Sequence, residues 1–553
     1  MATRYIVEHL NHLGIVAEVC REIGVAAWLD EQEPTHRQQV SVGTATVAMV
    51  LNGMGFSNRQ LYLVPQFFAD KPVEHLLGAG IVAEALNDDC LGRTLDWLYA
   101  HDVTTLFAGL AHRARQAFGV SVQRLHADTT SFHVHGEYRP PEPEPADVPP
   151  AVIAITHGYS RDHRADLQQW MLALITSGDG VPQFLQPLDG NASDKASLLD
   201  AVTTCIAQLQ PTDADPSVFV ADSGLYSQAN LTTLNTTGVS WVSRVPETTL
   251  LAQQAVQAES VPWQTDDANT RQWWSQIVDV PQGPERWLIV RTNDGIQRVR
   301  ATQQRQVTKE EQTWTQRLWH LGNQAFGCEA DARVAFTKAT QRCPVWMVIQ
   351  AQIVSTGKQA MRGRPRKDGT LTLVNHWHIQ ATVASDPEAV ERDILRRAAF
   401  IIATNLLDTE RWPDSVILAM YQEQTVVERG FAFLKDPLFL ASSVFLKKPE
   451  RIMALAFIMV LCLLVYKLAE LRVRQQLAAL DETVPNQLRK PTQRPTMRWL
   501  FQCFEGIDLH HTLLSDGTRQ SEVLRLTPLH HQILRLLGPA YQNAYFLLLQ
   551  TAE

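Results

Sequence analysis

The chain of 553 residues, 62.1 kDa, is long enough for three or four domains of about 150 residues each. With 45% hydrophobic and 19% charged residues, and with its 28 Gly and 28 Pro dispersed, it is not a disordered, collagen-like or low-complexity sequence. Forty-nine Lys and Arg against fifty-eight Asp and Glu leave a formal charge of −9, which excludes a global positive field for nucleic acid or anionic membrane. Either partner would have to meet a local patch.

Seven cysteines (Cys20, Cys90, Cys205, Cys328, Cys343, Cys462 and Cys503) stand far apart without a CxxC pair, which disfavours a disulfide framework and a structural zinc site. They point to a reducing compartment, the cytoplasm. The start, MATRYIVEHLNHLGIVAEVC, carries charge and His where a signal peptide needs an unbroken apolar core. The longest apolar run, residues 452–466, falls short of the roughly 17 to 25 residues that span a bilayer. It continues in helical register into KLAELRVRQQL and reads as a buried core helix, so no membrane partner is expected.

Residues 1 to about 115 show apolar positions at three- and four-residue spacing, as in VAMVLNGMGFSNRQLYLVPQFF and LGRTLDWLYAHDVTTLFAGLAHRARQAF. In the first of these a Gly-containing break and the possible caps Ser57 and Asn58 fit a helix-turn-helix, or else an ordinary helical bundle. From Val122 the period becomes two: VQRLHADTTSFHVHGEY reads as strand, turn and strand, followed by the Pro-rich spacer RPPEPEPADVPPAV. Strands IAITHGYS, QQWMLALIT and VPQFLQPL, the helix KASLLDAVTTCIAQL and the short strand SVFVAD complete an α/β pattern. A strand-rich segment over 225–395 then separates this part from a further strand, AAFIIATN, and a helix over PDSVILAMYQEQTVVERGFAFLK.

Three carboxylates occupy places where chemistry gathers: Asp128 at the end of RLHAD, Asp222 at the end of VFVAD, and Glu428 in the long helix. Hard oxygen ligands of this kind suit Mg²⁺ or Mn²⁺, and two such ions serve phosphoryl transfer. Tyr421, Glu428 and Lys435 are spaced by seven residues, so on one helix they lie along one stripe with about 20° of drift per step. His126, His133 and His135 around Asp128 invite a zinc reading, but no fourth ligand stands at a recognisable spacing.

YQEQTVVERGFAFLK resembles the Y-x2-R-x3-E-x6-K signature of bacterial insertion-sequence transposases with a DDE active site, matching at Tyr421, Glu428 and Lys435, with Gln424 in place of the Arg. LHADTTSF resembles the first Asp motif of that family, ITHGYSRDHRADLQQW the strand and loop after it, LDGNASD a following turn, and FVADSGLYS the second Asp motif. The similarity runs over about residues 120–475 and is that of the insertion sequence four superfamily, in its 1634-like group. It implies an α/β protein with an RNase H-like core, residues 119–224 and 396–475, interrupted by a β-rich insertion domain at 225–395. A helical N-terminal domain at 1–118 would bind DNA ends, and a helical region would occupy 476–553. The 206 positions between Asp222 and Glu428 independently demand a folded insertion, because a structureless loop of that length is implausible.

The resemblance further implies an endonuclease and strand-transfer enzyme that binds the terminal inverted repeats of its own element, cuts and pastes it, and works as a homodimer on double-stranded DNA near the bacterial nucleoid. Asp128, Asp222 and Glu428 would hold two Mg²⁺ ions, for which Mn²⁺ would substitute. Tyr421 and Lys435 would contact DNA phosphates. Gln424 would do so without the charge and fork of guanidinium. Arg161 and Arg164, with His163, are further phosphate-binding candidates, and Arg362 and Arg364 in MRGRPRK resemble an AT-hook core for the minor groove. Between Lys435 and Arg498 eleven basic residues face five acidic ones, a local excess of +6. Two alternatives stay open on the sequence: a non-catalytic DNA-binding derivative of a transposase, and a metal-dependent nuclease without strand transfer.

Overall fold

The computed structural model describes residues 4–33, 39–56, 61–136, 138, 152–159, 164–209, 217–258, 261–359, 373–436, 446–513 and 519–546. The caps Ser57 and Asn58 and most of the Pro-rich spacer lie outside them. The chain divides into two compact units, one comprising Met1–Ser243, Asp279–Pro284 and Thr404–Glu553, the other Arg244–Val278 and Glu285–Ala403.

The first unit opens with strand β1 (Arg4–His9) and helices α1 (Leu13–Glu22), α2 (Val25–Glu31), α3 (Val42–Met54), α4 (Val64–Phe68), α5 (Val73–Leu77), α6 (Asp88–Ala100) and α7 (Val103–Phe118). It continues with β2 (Arg124–Val134), β3 (Gln168–Ser177), β4 (Pro182–Leu188), α8 (Asp194–Gln208), β5 (Val218–Ala221), α9 (Gln228–Thr236) and β6 (Ser240–Arg244). In the second unit follow α10 (Leu250–Gln257), β7 (Gln264–Thr265), β8 (Arg271–Val280), β9 (Gly283–Thr292), α11 (Asn293–Gly322), α12 (Glu329–Thr340), β10 (Met347–Gln359), β11 (Leu373–Ser385), α13 (Pro387–Arg397) and β12 (Phe400–Thr404). The chain returns to the first unit with α14 (Asp414–Gln422), α15 (Thr425–Leu434), α16 (Pro449–Ala479), β13 (Val484–Pro485), β14 (Pro491–Thr492), α17 (Met497–Cys503), β15 (Asp508–Leu513), β16 (Arg519–Leu524), α18 (Pro528–Leu537) and α19 (Pro539–Phe546).

In the first unit five strands of a mixed sheet run in the order β4-β3-β2-β5-β6. β4, β3 and β2 are antiparallel neighbours, whereas β2, β5 and β6 are parallel. The parallel strand β5, VFVA, is buried at every position, as expected of a strand covered on both faces. β2 does not break into two strands as its DTTS suggested. Its pairing with β3 runs unbroken from Leu125↔Ser177 to Val134↔Gln168, so the turn-prone residues are held in the ladder by tertiary pairing.

The second unit mixes strands with helices. Beside the strands ordered β12-β9-β8-β7 and the β10-β11 hairpin it carries a helix of 30 residues, α11, whose Trp314, Leu318 and Leu321 are buried. The signal for this helix, KEEQTWTQRLWHLG, covers only its second half, because the first half is too polar to show an apolar stripe. VSWVSRV, read with the insertion, supplies β6 of the first unit.

The core of the first unit is organised by α16. Pro449 stands in its first turn, where a missing N–H costs nothing, and Glu450 suits the positive end of the helix dipole. The helix is long and apolar enough to cross a membrane, yet its apolar window is wholly buried in the fold. A helix apolar on all sides needs neighbours on all sides, and α1, α3, α6, α7 and α18 supply them. The N-terminal helices therefore share one hydrophobic core with α16. For the same reason α3 is not part of a helix-turn-helix: all its residues but Thr44 are buried, and the next helix, α4, has five residues. The C-terminal region is not wholly helical either, since β15 pairs with both β1 and β16 in a small antiparallel sheet.

His12, buried at the start of α1, places Nε2 2.8 Å from the Met54 carbonyl and stacks on Phe501 at 4.4 Å between ring centroids. The carbonyl accepts only, so Nε2 carries the proton. Burial in this core pushes the His12 pKa down to about 4. The unfolded chain binds this proton below its ordinary value near 6.5 while the folded chain refuses it, so stability falls as pH drops from there to about 4. The expected loss is about 3 kcal/mol across that window. Urea midpoints measured at both ends, for the native chain and His12→Gln, test this; equal pH slopes in the two proteins would refute it.

Candidate active site

Parallel pairing of β2 with β5 runs from Arg124↔Val218 to Ala127↔Ala221, where β5 ends. Continued by one residue, that register sets Asp128 beside Asp222, on neighbouring strands about 4.8 Å apart and on the same face of the sheet. Asp128 is thus in the interior of β2, not at its end, but it stands where the parallel pairing stops and the sheet opens. Both carboxylates are half-buried.

Local hydrogen bonds fix each of them. The Gly224 N–H donates to Asp222 Oδ1 at 2.8 Å, and Ser243 Oγ donates to the Asp222 carbonyl at 2.7 Å. A Cβ at position 224 would stand 2.8 Å from that same Oδ1, so a larger residue here would have to displace the carboxylate that the chain wraps. The Thr129 N–H donates to Asp128 Oδ1 at 2.7 Å, and Thr129 Oγ1 donates to Asp194 Oδ1, at the start of α8, at 2.9 Å. Asp194, within the quoted LDGNASD, is an acid held at β2 through Thr129 that sequence reasoning passed over; its place in the first turn of a helix was the available signal.

The expected single helix over 413–435 is two helices, α14 and α15. At the junction Gln424 N–H donates to the Tyr421 carbonyl and Val426 N–H to the Glu423 carbonyl, three-residue spans that tighten the chain. Tyr421 therefore lies on α14, Glu428 on the first turn of α15 and Lys435 at its C-cap, not along one continuous stripe. The junction is tied to β2. Gln424 is only 7% exposed, its Nε2 donates to the Ala127 carbonyl at 3.1 Å, and its Oε1 lies 3.3 Å from His126 Nδ1. Beside it Glu423 pairs with Arg124 at 2.6 Å, and its other carboxylate oxygen is 3.7 Å from His126 Nε2. Gln424, expected at DNA, is thus an internal tie to the residue preceding Asp128. The polar residues Arg124, His126 and Glu423 were not singled out for this; only the packing of α15 on β2 brings them together.

Glu428 follows Gln424 by four residues, so it projects from the same helix face one turn farther along. It is exposed. Among the described residues no group of three or more His, Cys, Asp or Glu side chains is gathered into a ready metal cage. What the sheet pre-forms is the aspartate pair. Lys435 Nζ lies 5.8 Å from the ring centroid of Phe132 on β2, and Tyr421 is half-buried on the helix that packs against β5. Arg164 is half exposed and spans Asp166 through two bonds of 2.8 Å. Arg161, Arg362 and Arg364 lie outside the described residues.

No curated protein matches the chain. A piggyBac transposase in a synaptic complex with hairpin DNA is similar over 89% of this chain and 78% of that one, at 9% identity and a TM-score of 0.36, a likeness too slight to set fold or chemistry. Residues 5–112 match a domain of unknown function, DUF4277. Residues 125–465, more than half of the chain and including Asp128, Asp222 and Glu428, match the transposase DDE domain, and the chain belongs to that family, whose work is DNA transposition and recombination.

Proposed function

We propose that the chain is the transposase of a bacterial insertion sequence of the YREK type, within the insertion sequence four superfamily and its 1634-like group. It binds the terminal inverted repeats of its element as a dimer, cleaves one strand with water and joins the freed 3′-OH to target DNA. The observation that supports this best is the register of β2 and β5, which sets two aspartates side by side at the mouth of the sheet. The strand order β4-β3-β2-β5-β6 fits an RNase H-like core, with Arg244–Val278 and Glu285–Ala403 as the inserted unit.

DDE transposases generally use divalent metal ions, and the donor set fits them: Asp128, Asp222 and Glu428 offer hard carboxylate oxygens to Mg²⁺ or Mn²⁺. Bound there, two ions supply the charge that activates an attacking oxygen and stabilises the leaving one. The protein's own share is positioning. Gly224 and Thr129 hold the aspartate rotamers, and the Gln424 tie sets on β2 the helix α15, from which Glu428 would reach toward them. Lys435 and Tyr421, at the two ends of the Glu428 segment, would hold phosphates of the transposon end in line.

The test is incubation of the full chain with DNA carrying the element's ends and Mg²⁺. Strand nicks at the ends, and joined products when a pre-cut 3′-OH end is offered with target DNA, are expected. Binding without cleavage would mark a non-catalytic derivative, and cleavage without joining a nuclease.

A further inference from the structure

Five of the eleven basic residues between Lys435 and Arg498 are held in ion pairs within the fold. Arg451 clamps Asp96, Lys467 and Arg474 pair with Glu470, Arg472 with Glu22 and Arg498 with Asp436. Five cations of this stretch remain exposed and carry no ion pair among the described residues: Lys447, Lys448, Arg489, Lys490 and Arg494. The last three cluster on, or directly after, the β13-β14 hairpin, in which Val484 pairs with Thr492 and Pro485 with Pro491.

The tip of this hairpin is pre-shaped. Asn486 Oδ1 accepts the N–H groups of Leu488 at 2.9 Å and Lys490 at 3.0 Å, while Asn486 N–H donates to the Lys490 carbonyl at 2.8 Å. Arg489 takes a left-handed backbone, φ 59°, at the turn. The result holds Leu488 outward, 75% exposed, directly before Arg489 and Lys490. A large aliphatic side chain displayed by a rigid turn gains nothing for folding.

The hairpin is also rooted beside the helix that carries Glu428. Trp499 Nε1 donates to the Pro485 carbonyl at 2.8 Å, and the neighbouring Arg498 reaches Asp436, the residue after Lys435. We propose that the 484–494 hairpin is a duplex-DNA contact, in which Arg489, Lys490 and Arg494 neutralise phosphates and Leu488 presses on apolar groove or base-step edges. This rests on the transposase reading above and extends it to a surface that no motif marks. Rigid turns with flanking cations and one apolar wedge suit DNA because the charges locate the backbone while the wedge meets the only nearby apolar surface.

The probe is a fluorescein-labelled duplex of mixed sequence, titrated with the full chain over a salt series and followed by anisotropy. Each phosphate contact contributes a slope of about 0.9 in log affinity against log salt. The triple variant Arg489→Gln, Lys490→Gln, Arg494→Gln is therefore expected to flatten the slope by about 2.7 and to weaken binding more than tenfold at low salt. Leu488→Ser is expected to weaken binding several-fold with the slope unchanged. All four side chains are exposed, so melting temperatures equal to that of the native chain will exclude misfolding. Native-level slope in the triple variant, while the native chain binds, overturns the hairpin contact alone; failure of the native chain to bind any duplex overturns it together with the transposase reading.

Discussion

Asp222→Asn is expected to abolish strand cleavage while leaving the fold intact. Asparagine keeps an oxygen that can accept the Gly224 N–H bond, so the local structure survives, but it removes the charge that holds a cation. A lost ligand charge in a two-ion site costs several kcal/mol of transition-state stabilisation, and about 4 kcal/mol is roughly a thousandfold in rate. Asp128→Asn should match it, since Thr129 N–H can still bond to the amide oxygen. Glu428→Gln, at an exposed position, should lose activity without any change in stability. Cleavage of end-sequence DNA in Mg²⁺, alongside melting curves, makes the comparison. Activity within tenfold of the native chain for any of the three removes that residue from the chemistry.

Gln424→Leu is expected to damage both stability and activity. Leucine fills the space but leaves the Ala127 carbonyl and the fully buried His126 ring without their amide partner. Stranding buried polar groups costs about 1–3 kcal/mol each, so a loss of about 3 kcal/mol in unfolding free energy is expected. The same change frees α15 from β2 next to Asp128, and cleavage should fall further than the folded fraction does. Gln424→Glu separates the two bonds, because a carboxylate accepts from His126 but cannot donate to Ala127. The exposed neighbour change Gln422→Leu is the control, expected to stay within about 0.5 kcal/mol of the native chain. Equal urea midpoints for Gln424→Leu and Gln422→Leu would show that the tie is ornamental.

The hairpin at 484–494 and His12 belong to the same lesson. A +6 excess over 435–498 reads in sequence as one basic surface, yet five of its eleven basic residues are held in ion pairs with Asp96, Glu22, Glu470 and Asp436. Those acids lie as far as 450 positions away along the chain, a separation that no local pattern records. His12 looks like a surface residue at a helix start and is instead a core base held neutral by burial.

What could be read without coordinates was local or periodic. The apolar run at 452–466 declared a buried helix because an all-round apolar surface admits no other place in water. The strand β5 with an acid directly after it, the helix α8 and the strand β12 were legible from period and length. The three carboxylates were legible as motifs. Tertiary structure alone decided the rest. Whether DTTS turns or stays in a strand depends on β3, which pairs it throughout. Whether residues 413–435 form one helix or two is decided at Gln424, where the chain tightens and the amide meets the Ala127 carbonyl 297 positions away. The side-by-side placement of Asp128 and Asp222 is a property of strand register, a long-range hydrogen-bond choice between segments 94 residues apart, and register leaves no trace in either segment read alone.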